Sequence, residues 1–279
     1  MMRNAMKSGL RIALIGLLAC VVLSATGCDK LRARDQLNKG VQAYKNGRFE
    51  EAIEHFKNSV AYDPDLGVAR LYLATAYFGQ YVPGVDTPEN NHSAEQAIEQ
   101  YQKVLESQPS KSNGITALKG IASLYFNMKK FDQAKQYQRK VLEQDPTDPE
   151  AYYSIGVIDW TQTYAPNQAV RTSMSLKPDE PIKDQKACED LRTKNDATVK
   201  EGIDMLNQAI KLRKDYDDAV AYLNLMYRQK ADLECGDPML RAEDLKQADQ
   251  FVEQAMDIKR AKAEAENKKD RGITMDENK

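Results

Sequence analysis

The sequence has few of the residues that usually carry chemistry. Its 279 residues include two histidines, His55 and His92, four cysteines and one tryptophan. Neither histidine has a serine, cysteine or carboxylate arranged around it as in a catalytic site. A glycine-rich phosphate loop is absent, and so are the spaced carboxylates or Cys/His pairs of a metal site. The sequence therefore predicts a protein that is not an enzyme and that uses neither a cofactor nor a metal ion.

An excess of charge of one sign is also lacking. Lysine and arginine number 40 and aspartate and glutamate 42, which gives a formal net charge of −2. A protein that binds nucleic acid through the phosphates needs a basic surface, and no basic block predicts one here. Nucleic acid is therefore not an expected partner. Apolar residues make up 42% and charged residues 29% of the chain, which suits a soluble helical protein.

Long apolar runs are missing except for one, Ile12–Ala25, close to the start of the chain. It is shorter than the roughly 20 residues that a membrane-spanning helix needs. The apolar run is preceded by the basic residues Arg3, Lys7 and Arg11, and no acidic residue occurs before Asp29. A basic start followed by a short apolar core is typical of a secretory signal peptide.

The apolar run ends in the letters LSATGC, residues 23–28. Small residues directly before a cysteine resemble the bacterial lipobox that signal peptidase II cleaves. The resemblance implies a lipoprotein signal peptide over residues 1–27, acylation of Cys28 and a lipid-anchored segment over residues 28–32. Cleavage before Cys20 and an uncleaved signal anchor are the alternatives. Several acyl chains, at about 0.8 kcal/mol per buried methylene, would hold the protein on a membrane of the bacterial envelope, facing the periplasm or the exterior.

Residues 40–64 predict two short amphipathic helices joined by a tight turn at Asn46-Gly47 and ended by Asp63-Pro64. In the second helix apolar residues recur at helical spacing, at Phe49, Ala52, Ile53, Phe56 and Val60. A hairpin this short cannot bury its apolar face alone, so neighbouring hairpins must cover it.

The spacing of small, large and proline residues resembles the tetratricopeptide repeat, a helix–turn–helix unit of about 34 residues. The marked positions of the first copy are Gly40, Ala52, Phe56 and Pro64, and further copies are marked by Leu73, Ala74 and Tyr77, by Ile121, Ala122 and Tyr125, by Tyr152, Ile155 and Gly156, and by Leu223 and Tyr227. The resemblance implies an all-α, right-handed superhelical solenoid of about five helical hairpins. The implied repeats cover residues 33–66, 67–114, 115–148, 149–216 and 217–259, followed by a charged C-terminal tail over 260–279.

Repeats two, four and five carry extra residues between their two helices. The predicted insertions cover residues 80–93, 164–197 and around 231–241. The middle one is expected to hold a short helix over Ala165–Leu176 and then an extended stretch, because proline disfavours helix in the residue before it. Turns of stacked repeats share one edge, so the insertions should cluster there. They either build a lip beside a binding groove or are tolerated loop growth, since longer surface loops cost little.

The lipoprotein resemblance places the chain in an oxidising compartment, where an even pair of cysteines favours a disulfide. Cys20 would leave with the signal peptide and Cys28 would be acylated, which leaves Cys188 and Cys235 in the insertions of adjacent repeats. We therefore predict that these two are bonded, with two unpaired thiols as the alternative. Closing a loop of about 47 residues would stabilise the fold by about 4 kcal/mol.

First helices line the concave surface of tetratricopeptide proteins, and certain positions on them tend to face a ligand. The residues at those positions here are Leu37, Val41, Tyr44, Leu71, Phe78, Lys119, Phe126, Tyr153, Trp160, Leu225 and Arg228. The same repeat position is aromatic in four successive repeats, at Tyr44, Phe78, Phe126 and Trp160. Such a series would suit a partner segment with apolar anchors. The alternative is that these aromatic residues pack against the next repeat.

The resemblance thus implies a non-enzymatic, membrane-anchored scaffold of the bacterial cell envelope whose groove binds a segment of an envelope protein or a peptide. One alternative is an assembly factor similar to the tetratricopeptide lipoprotein of the outer-membrane barrel-assembly machine. Another is a non-catalytic support subunit of an envelope enzyme complex.

Overall fold

The computed structural model describes residues 28–276, with side chains up to residue 268. This part of the chain is helical and contains no strand. The helices are α1 (28–45), α2 (Phe49–Tyr62), α3 (Gly67–Gln80), α4 (Pro88–Glu106), α5 (Lys111–Asn127), α6 (Phe131–Gln144), α7 (Pro149–Ser173), α8 (Gln185–Leu212), α9 (Asp217–Ala231) and α10 (Pro238–Asp276). The predicted signal peptide and Cys20 lie outside the described residues. None of the described helices is long and apolar enough to cross a membrane.

The chain divides into two compact units, Met1–Met128 and Lys129–Lys279. In the first unit α2 packs on α3, α3 on α4, and α5 on both α3 and α4. The first hairpin closes where Gly40 meets the fully buried ring of Phe56, because a Cβ at Gly40 would lie 2.5 Å from Phe56 Cε1. Glycine at this position therefore sets how closely α1 and α2 approach.

The second unit contains α6 to α10 with its own core. Helix α7 packs on α6, α8 and α9, while α9 also packs on α8 and α10. The largest fully buried side chains of this unit come from three of these helices: Ile155, Leu206, Leu223 and Met226. Both units are stacks of adjacent helices, and the predicted all-α fold is confirmed.

Two of the loops are shorter than predicted because helices begin earlier. Helix α4 starts at Pro88, so the loop is 81–87 rather than 80–93. Proline fits the first helical position, and the Thr87 hydroxyl caps the helix by accepting a hydrogen bond from the Asn90 N–H at 3.3 Å. Helix α10 starts at Pro238, and the Asp237 carboxylate accepts hydrogen bonds from the backbone N–H groups of Met239 and Leu240. The loop predicted at 231–241 is therefore only 232–237.

The long insertion of repeat four lengthens two helices. The short helix predicted over Ala165–Leu176 is not separate, because α7 continues through Pro166 to Ser173. Helix α8 then begins at Gln185, twelve positions before the predicted end of the insertion. What remains as a loop is residues 174–184, which we call the cover loop.

A buried ionic cluster joins three elements of the second unit. Asp159 on α7 has no exposed surface, and its Oδ1 accepts a hydrogen bond from Lys135 Nζ on α6 at 2.7 Å. Lys135 also donates to Glu201 on α8 at 3.2 Å, and Arg139 bonds the other oxygen of Glu201. Burial raises the pKa of Asp159 to about 7, although the hydrogen bond and the charge of Lys135 oppose the shift.

Candidate functional site

All of the predicted partner-binding residues are half-buried: none lies fully in the core and none is fully exposed. Those of the first unit are Leu37, Val41, Tyr44, Leu71, Phe78, Lys119 and Phe126, and those of the second are Tyr153, Trp160, Leu225 and Arg228. Their contact with a partner stays a prediction.

In the first unit Tyr44 has a packing role. Its ring meets Phe49 edge to face, with 5.4 Å between the ring centroids. Phe49 in turn lies beside Gly79 of the next hairpin, where a Cβ would be 2.8 Å from the Phe49 ring. For Tyr44 the structure therefore favours the packing alternative.

In the second unit five aromatic side chains form a continuous series, which we call the aromatic ladder. Its rings contact one another in the order Tyr216, Tyr153, Tyr222, Trp160 and Tyr164, with centroids 4.9, 5.7, 5.5 and 4.8 Å apart. The first residue is buried, and the last is 44% exposed. Tyr153 and Trp160 were predicted from the sequence, whereas Tyr164, Tyr216 and Tyr222 were not. Helical spacing from Trp160 would have found Tyr164, whereas Tyr222 reaches the ladder only because α9 packs on α7.

Burial keeps three tyrosines of the ladder in their neutral form. Burial raises the pKa of Tyr216 to about 12, although the charge of Arg213 opposes the shift. Burial also raises the pKa of Tyr153 and of Tyr222, and the negative charge of Asp218 adds to both shifts. Since these three hydroxyls keep their protons at neutral pH, this part of the ladder presents aromatic faces and neutral polar groups.

A pocket of about 290 Å³ lies at the Tyr164 end of the ladder. Its walls come from α7, from the cover loop and from α9, and they include Trp160, Tyr164, Leu176, Leu225, Arg228 and Gln229. Trp160, Leu225 and Arg228 were predicted to contact a partner, and the structure brings these three together. Gln229 was missed, because nothing in the local pattern distinguishes it from a solvent-exposed glutamine.

The charged groups of the pocket are paired within the protein. Arg228 donates to both oxygens of Asp179 at 2.6 and 2.7 Å and to Asp249 at 2.6 Å. Arg171 donates to Asp232 at 2.8 Å. Burial raises the pKa of Asp232, although the hydrogen bond from Asn167 and the charge of Arg171 oppose this shift. Two cations face two anions in the lining, so the pocket as a whole is close to neutral.

These pairs also hold the cover loop in place. Arg171 is 8% exposed and donates to the carbonyl oxygens of Lys177 and, at 3.2 Å, of Glu180. Arg241 of α10 donates to the carbonyl oxygen of Asp179 at 2.6 Å. The insertions of repeats four and five thus meet, and the cover loop forms one wall of the pocket. Whether it serves as a lip beside a binding groove stays a prediction.

The predicted disulfide between Cys188 and Cys235 is present, with 5.7 Å between the two Cα atoms. Cys188 is buried in the core of the second unit, among residues of α8 and α9. The bond therefore fastens the start of α8 to the loop that follows α9. It adds a covalent link to the ion pairs that hold the two insertions together.

The acidic residues of the long insertion do not converge. Asp184 caps α8 by accepting from the Ala187 N–H at 2.9 Å, Glu180 accepts from the Lys177 N–H, and Glu189 accepts from Gln185. Within residues 28–276 no group of three or more His, Cys, Asp or Glu side chains is placed to hold a metal ion. The Nδ1–H of His55 donates a 2.8 Å hydrogen bond to Gln36 Oε1 on α1, which is a structural contact.

Adjacent helical hairpins define the class as a tetratricopeptide-type all-α fold. Their first helices are in contact, α3 with α5 in one unit and α7 with α9 in the other. Models of the tetratricopeptide repeat match residues 33–66 and 120–148. The chain therefore contains tetratricopeptide repeats.

Solved structures of MamA share the fold. The fragment "MamA 41-end from Desulfovibrio magneticus RS-1" is 16% identical over 82% of this chain and 96% of its own, with a TM-score of 0.53. Another MamA crystal structure is 17% identical over 84% of this chain and 94% of its own, with a TM-score of 0.53. At this identity the likeness concerns the fold alone. Among curated proteins none matches the chain.

Proposed function

We propose that this protein is a non-enzymatic scaffold, anchored to a membrane of the bacterial cell envelope, that holds a segment of a partner protein along its second unit. The observation that carries the proposal is the aromatic ladder together with the pocket at its Tyr164 end, which the cover loop lines. Tetratricopeptide arrays offer extended surfaces of stacked first helices that are suited to binding.

The chemistry of the ladder supports a protein partner. Tyrosine and tryptophan bury large apolar areas and keep a polar group at the edge, which is why they are enriched at interaction hot spots. Trp160 and Tyr153 are half-buried, so neither residue is closed off in the core. The lining charges are already paired, and this favours a partner segment that binds through neutral side chains.

The envelope location has separate support. A disulfide between Cys188 and Cys235 persists in an oxidising compartment and would be reduced in most cytosols. Cys28 is exposed and begins the described part of α1, so an acyl chain there would leave the repeats free. Lipid at Cys28 would then tether the scaffold to the membrane surface.

Crosslinking in cells tests the scaffold. The tagged protein is captured beside a Trp160→Ala, Tyr222→Ala double variant and a Met239→Ala control, after circular dichroism confirms that all three are folded. Met239 is 82% exposed on α10, so the control removes apolar surface away from the ladder. We expect specific partners to be lost only with the double variant. Partners that persist at wild-type levels would show that the ladder serves packing.

Metabolic labelling with a fatty acid tests the anchor. We expect incorporation into the wild type and into a Cys20→Ser variant but not into Cys28→Ser. Labelling lost with Cys20→Ser and kept with Cys28→Ser would move the acylation site to Cys20. An unlabelled wild-type protein would rule out the lipid anchor and leave the ladder proposal untouched.

A further inference from the structure

The predicted acylation site is joined directly to the first repeat. Cys28 is exposed and already belongs to α1, so no linker separates it from the repeat helix. An α-helix rises 1.5 Å per residue, which places Leu31 about 5 Å from Cys28 along the axis and on the same side of the helix. Leu31 is 68% exposed. Acyl chains on Cys28 would therefore hold this leucine at the surface of the membrane.

The end of α2 lies beside the start of α1. The Ser59 hydroxyl donates to the carbonyl oxygen of Ala33 at 2.7 Å, which fixes the register of the two antiparallel helices. One turn further along α2, the centre of the Tyr62 ring lies 5.9 Å from the Arg32 guanidinium. Tyr62 is 41% exposed. The first hairpin thus carries an exposed leucine and an exposed tyrosine at the end where the lipid would be attached.

The chemistry of this end suits a lipid surface. Tyrosine favours the boundary between apolar chains and water, and arginine can lay its apolar stem on lipid while its head reaches a phosphate. The pair of Arg32 with Asp29 is exposed and long, at 3.4 Å, so a phosphate can replace it at little cost. Charges of both signs occur here and cancel, at Asp29, Lys30, Arg32, Arg34, Asp63 and Asp65. Contact with lipid should therefore not require an anionic membrane.

We propose that this end of the first hairpin is a membrane-contact surface, on which Leu31 enters the outer part of the acyl region, Tyr62 lies at the level of the headgroups and Arg32 reaches a lipid phosphate. The occupant is the membrane that would hold the acyl chains of Cys28, because those chains keep its surface within reach. The inference rests on the lipid anchor of the proposed function. It adds that the first repeat is held against the membrane, and it involves no residue of the aromatic ladder.

The test uses the predicted mature chain, residues 28–279, which contains every residue that the structure describes. With Cys188 and Cys235 bonded, Cys28 is the remaining thiol, and a maleimide couples it to a single myristoyl-length chain. One such chain gives only marginal, reversible membrane binding, so a contribution from the protein changes the measured partition constant. Sedimentation with phosphatidylcholine vesicles measures that constant.

We expect Leu31→Ser to lower the partition constant about tenfold, because the transfer of most of one leucine side chain is lost. Tyr62→Ser should also lower it. The control is Val82→Ser, a valine that is 53% exposed in the loop after α3. This loop lies at the opposite end of the hairpins, since Gly79 contacts Phe49 at the start of α2. Val82→Ser should leave the partition constant unchanged.

A second measurement locates the contact by depth. Tyr62→Trp and Val82→Trp, each in a Trp160→Phe background, are coupled in the same way and bound to vesicles whose lipid is brominated in the upper acyl chain. We expect the Tyr62→Trp protein to lose most of its tryptophan emission and to shift it to shorter wavelength. The Val82→Trp protein should keep the emission of a solvent-exposed tryptophan.

Equal partition constants for Leu31→Ser and its parent would overturn the inference, and so would equal quenching of the two tryptophan reporters. Because coupling supplies the lipid chemically, neither result depends on acylation in cells. Fatty-acid labelling judges the anchor separately. A labelled wild type beside a partition constant that ignores Leu31 would keep the anchor and remove the contact surface, whereas the reverse result would keep the surface and remove the anchor.

Discussion

Removing the disulfide between Cys188 and Cys235 should lower the free energy of unfolding of the second unit by about 4 kcal/mol. The two cysteines are 47 positions apart. In the chain-entropy model a cross-link over a loop of this length removes about 14 cal/mol/K from the unfolded ensemble, which is about 4 kcal/mol at room temperature. The effect acts on the unfolded state, so the folded second unit should keep its structure without the bond.

Other contacts explain why the unit should stay folded. Arg171 still bonds Asp232, Lys177 and Glu180 when the disulfide is absent, and Arg228 still bonds Asp179. These pairs keep the cover loop on the pocket in the absence of denaturant. The reduced protein should therefore unfold at lower denaturant concentration while it retains its native helix content in buffer.

Urea unfolding followed by tryptophan fluorescence measures the change, because Trp160 lies in the second unit. With an m-value of about 2 kcal/mol/M, a loss of about 4 kcal/mol shifts the midpoint down by about 2 M urea. The comparison is between oxidised wild type, reduced wild type and a Cys188→Ser, Cys235→Ser variant, and the last two should agree. Cys28→Ser is the common background of all three samples, so "wild type" here refers to Cys188 and Cys235, and Cys28 cannot form intermolecular disulfides.

A midpoint that does not move on reduction would refute the argument. A second reporter guards against a non-specific effect of the reductant: Tyr62, 41% exposed on α2, is replaced by tryptophan in a Trp160→Phe background. This reporter follows the first unit, whose midpoint should stay constant. An equal shift in both units would mean that the loss does not come from the closed loop.

Three further predictions concern stability, each measured by urea unfolding. Arg171→Met should lower the free energy of unfolding by about 3–5 kcal/mol, because it leaves Asp232 buried without its cation. Adding Asp232→Asn should recover part of this loss, and a double variant that is no more stable than Arg171→Met would contradict the ion-pair argument. The pKa of Asp159 is about 7 in the folded state and 3.8 in the unfolded chain, so the folded state binds this proton more tightly. The free energy of unfolding of the wild type should therefore fall by up to about 4 kcal/mol relative to that of Asp159→Asn as the pH rises from about 4 to 7. A stability difference between the two proteins that does not change with pH would refute the buried proton. Gly40→Ala should cost about 1–3 kcal/mol through its clash with a buried ring, whereas the control Gly67→Ala, with no atom within 4 Å, should be neutral or stabilising.

The sequence by itself determined the helical hairpins. Apolar residues recur every three to four positions, and Gly47 and Pro64 mark where helices end, so the local pattern is sufficient to predict α1 and α2. The pairing of Cys188 with Cys235 was also predicted from the sequence, because the lipoprotein resemblance implies an oxidising compartment and both residues fall in predicted insertions of adjacent repeats. These features depend on spacing along one chain segment, and spacing is visible without coordinates.

Loop lengths were predicted less well, because insertions were taken to be loops. Residues 88–93 were predicted to be part of a loop, yet Pro88 and the Thr87 cap begin α4 there. A separate helix was also predicted after Tyr164, where α7 continues without a break. In both places a helix that already has a neighbour to pack on is extended by tertiary contacts that the sequence pattern does not show.

Only the tertiary structure decided the composition of the candidate site. Tyr222 joins the ladder, and Gln229 becomes part of the pocket lining, because α9 packs on α7 across more than sixty residues of chain. Arg228 lies at a repeat position that predicts contact with a partner, but it forms a salt bridge with Asp179 of the cover loop. Periodicity fixes which face of a helix is buried, whereas the partner of a buried polar group depends on which distant segment reaches it in the fold.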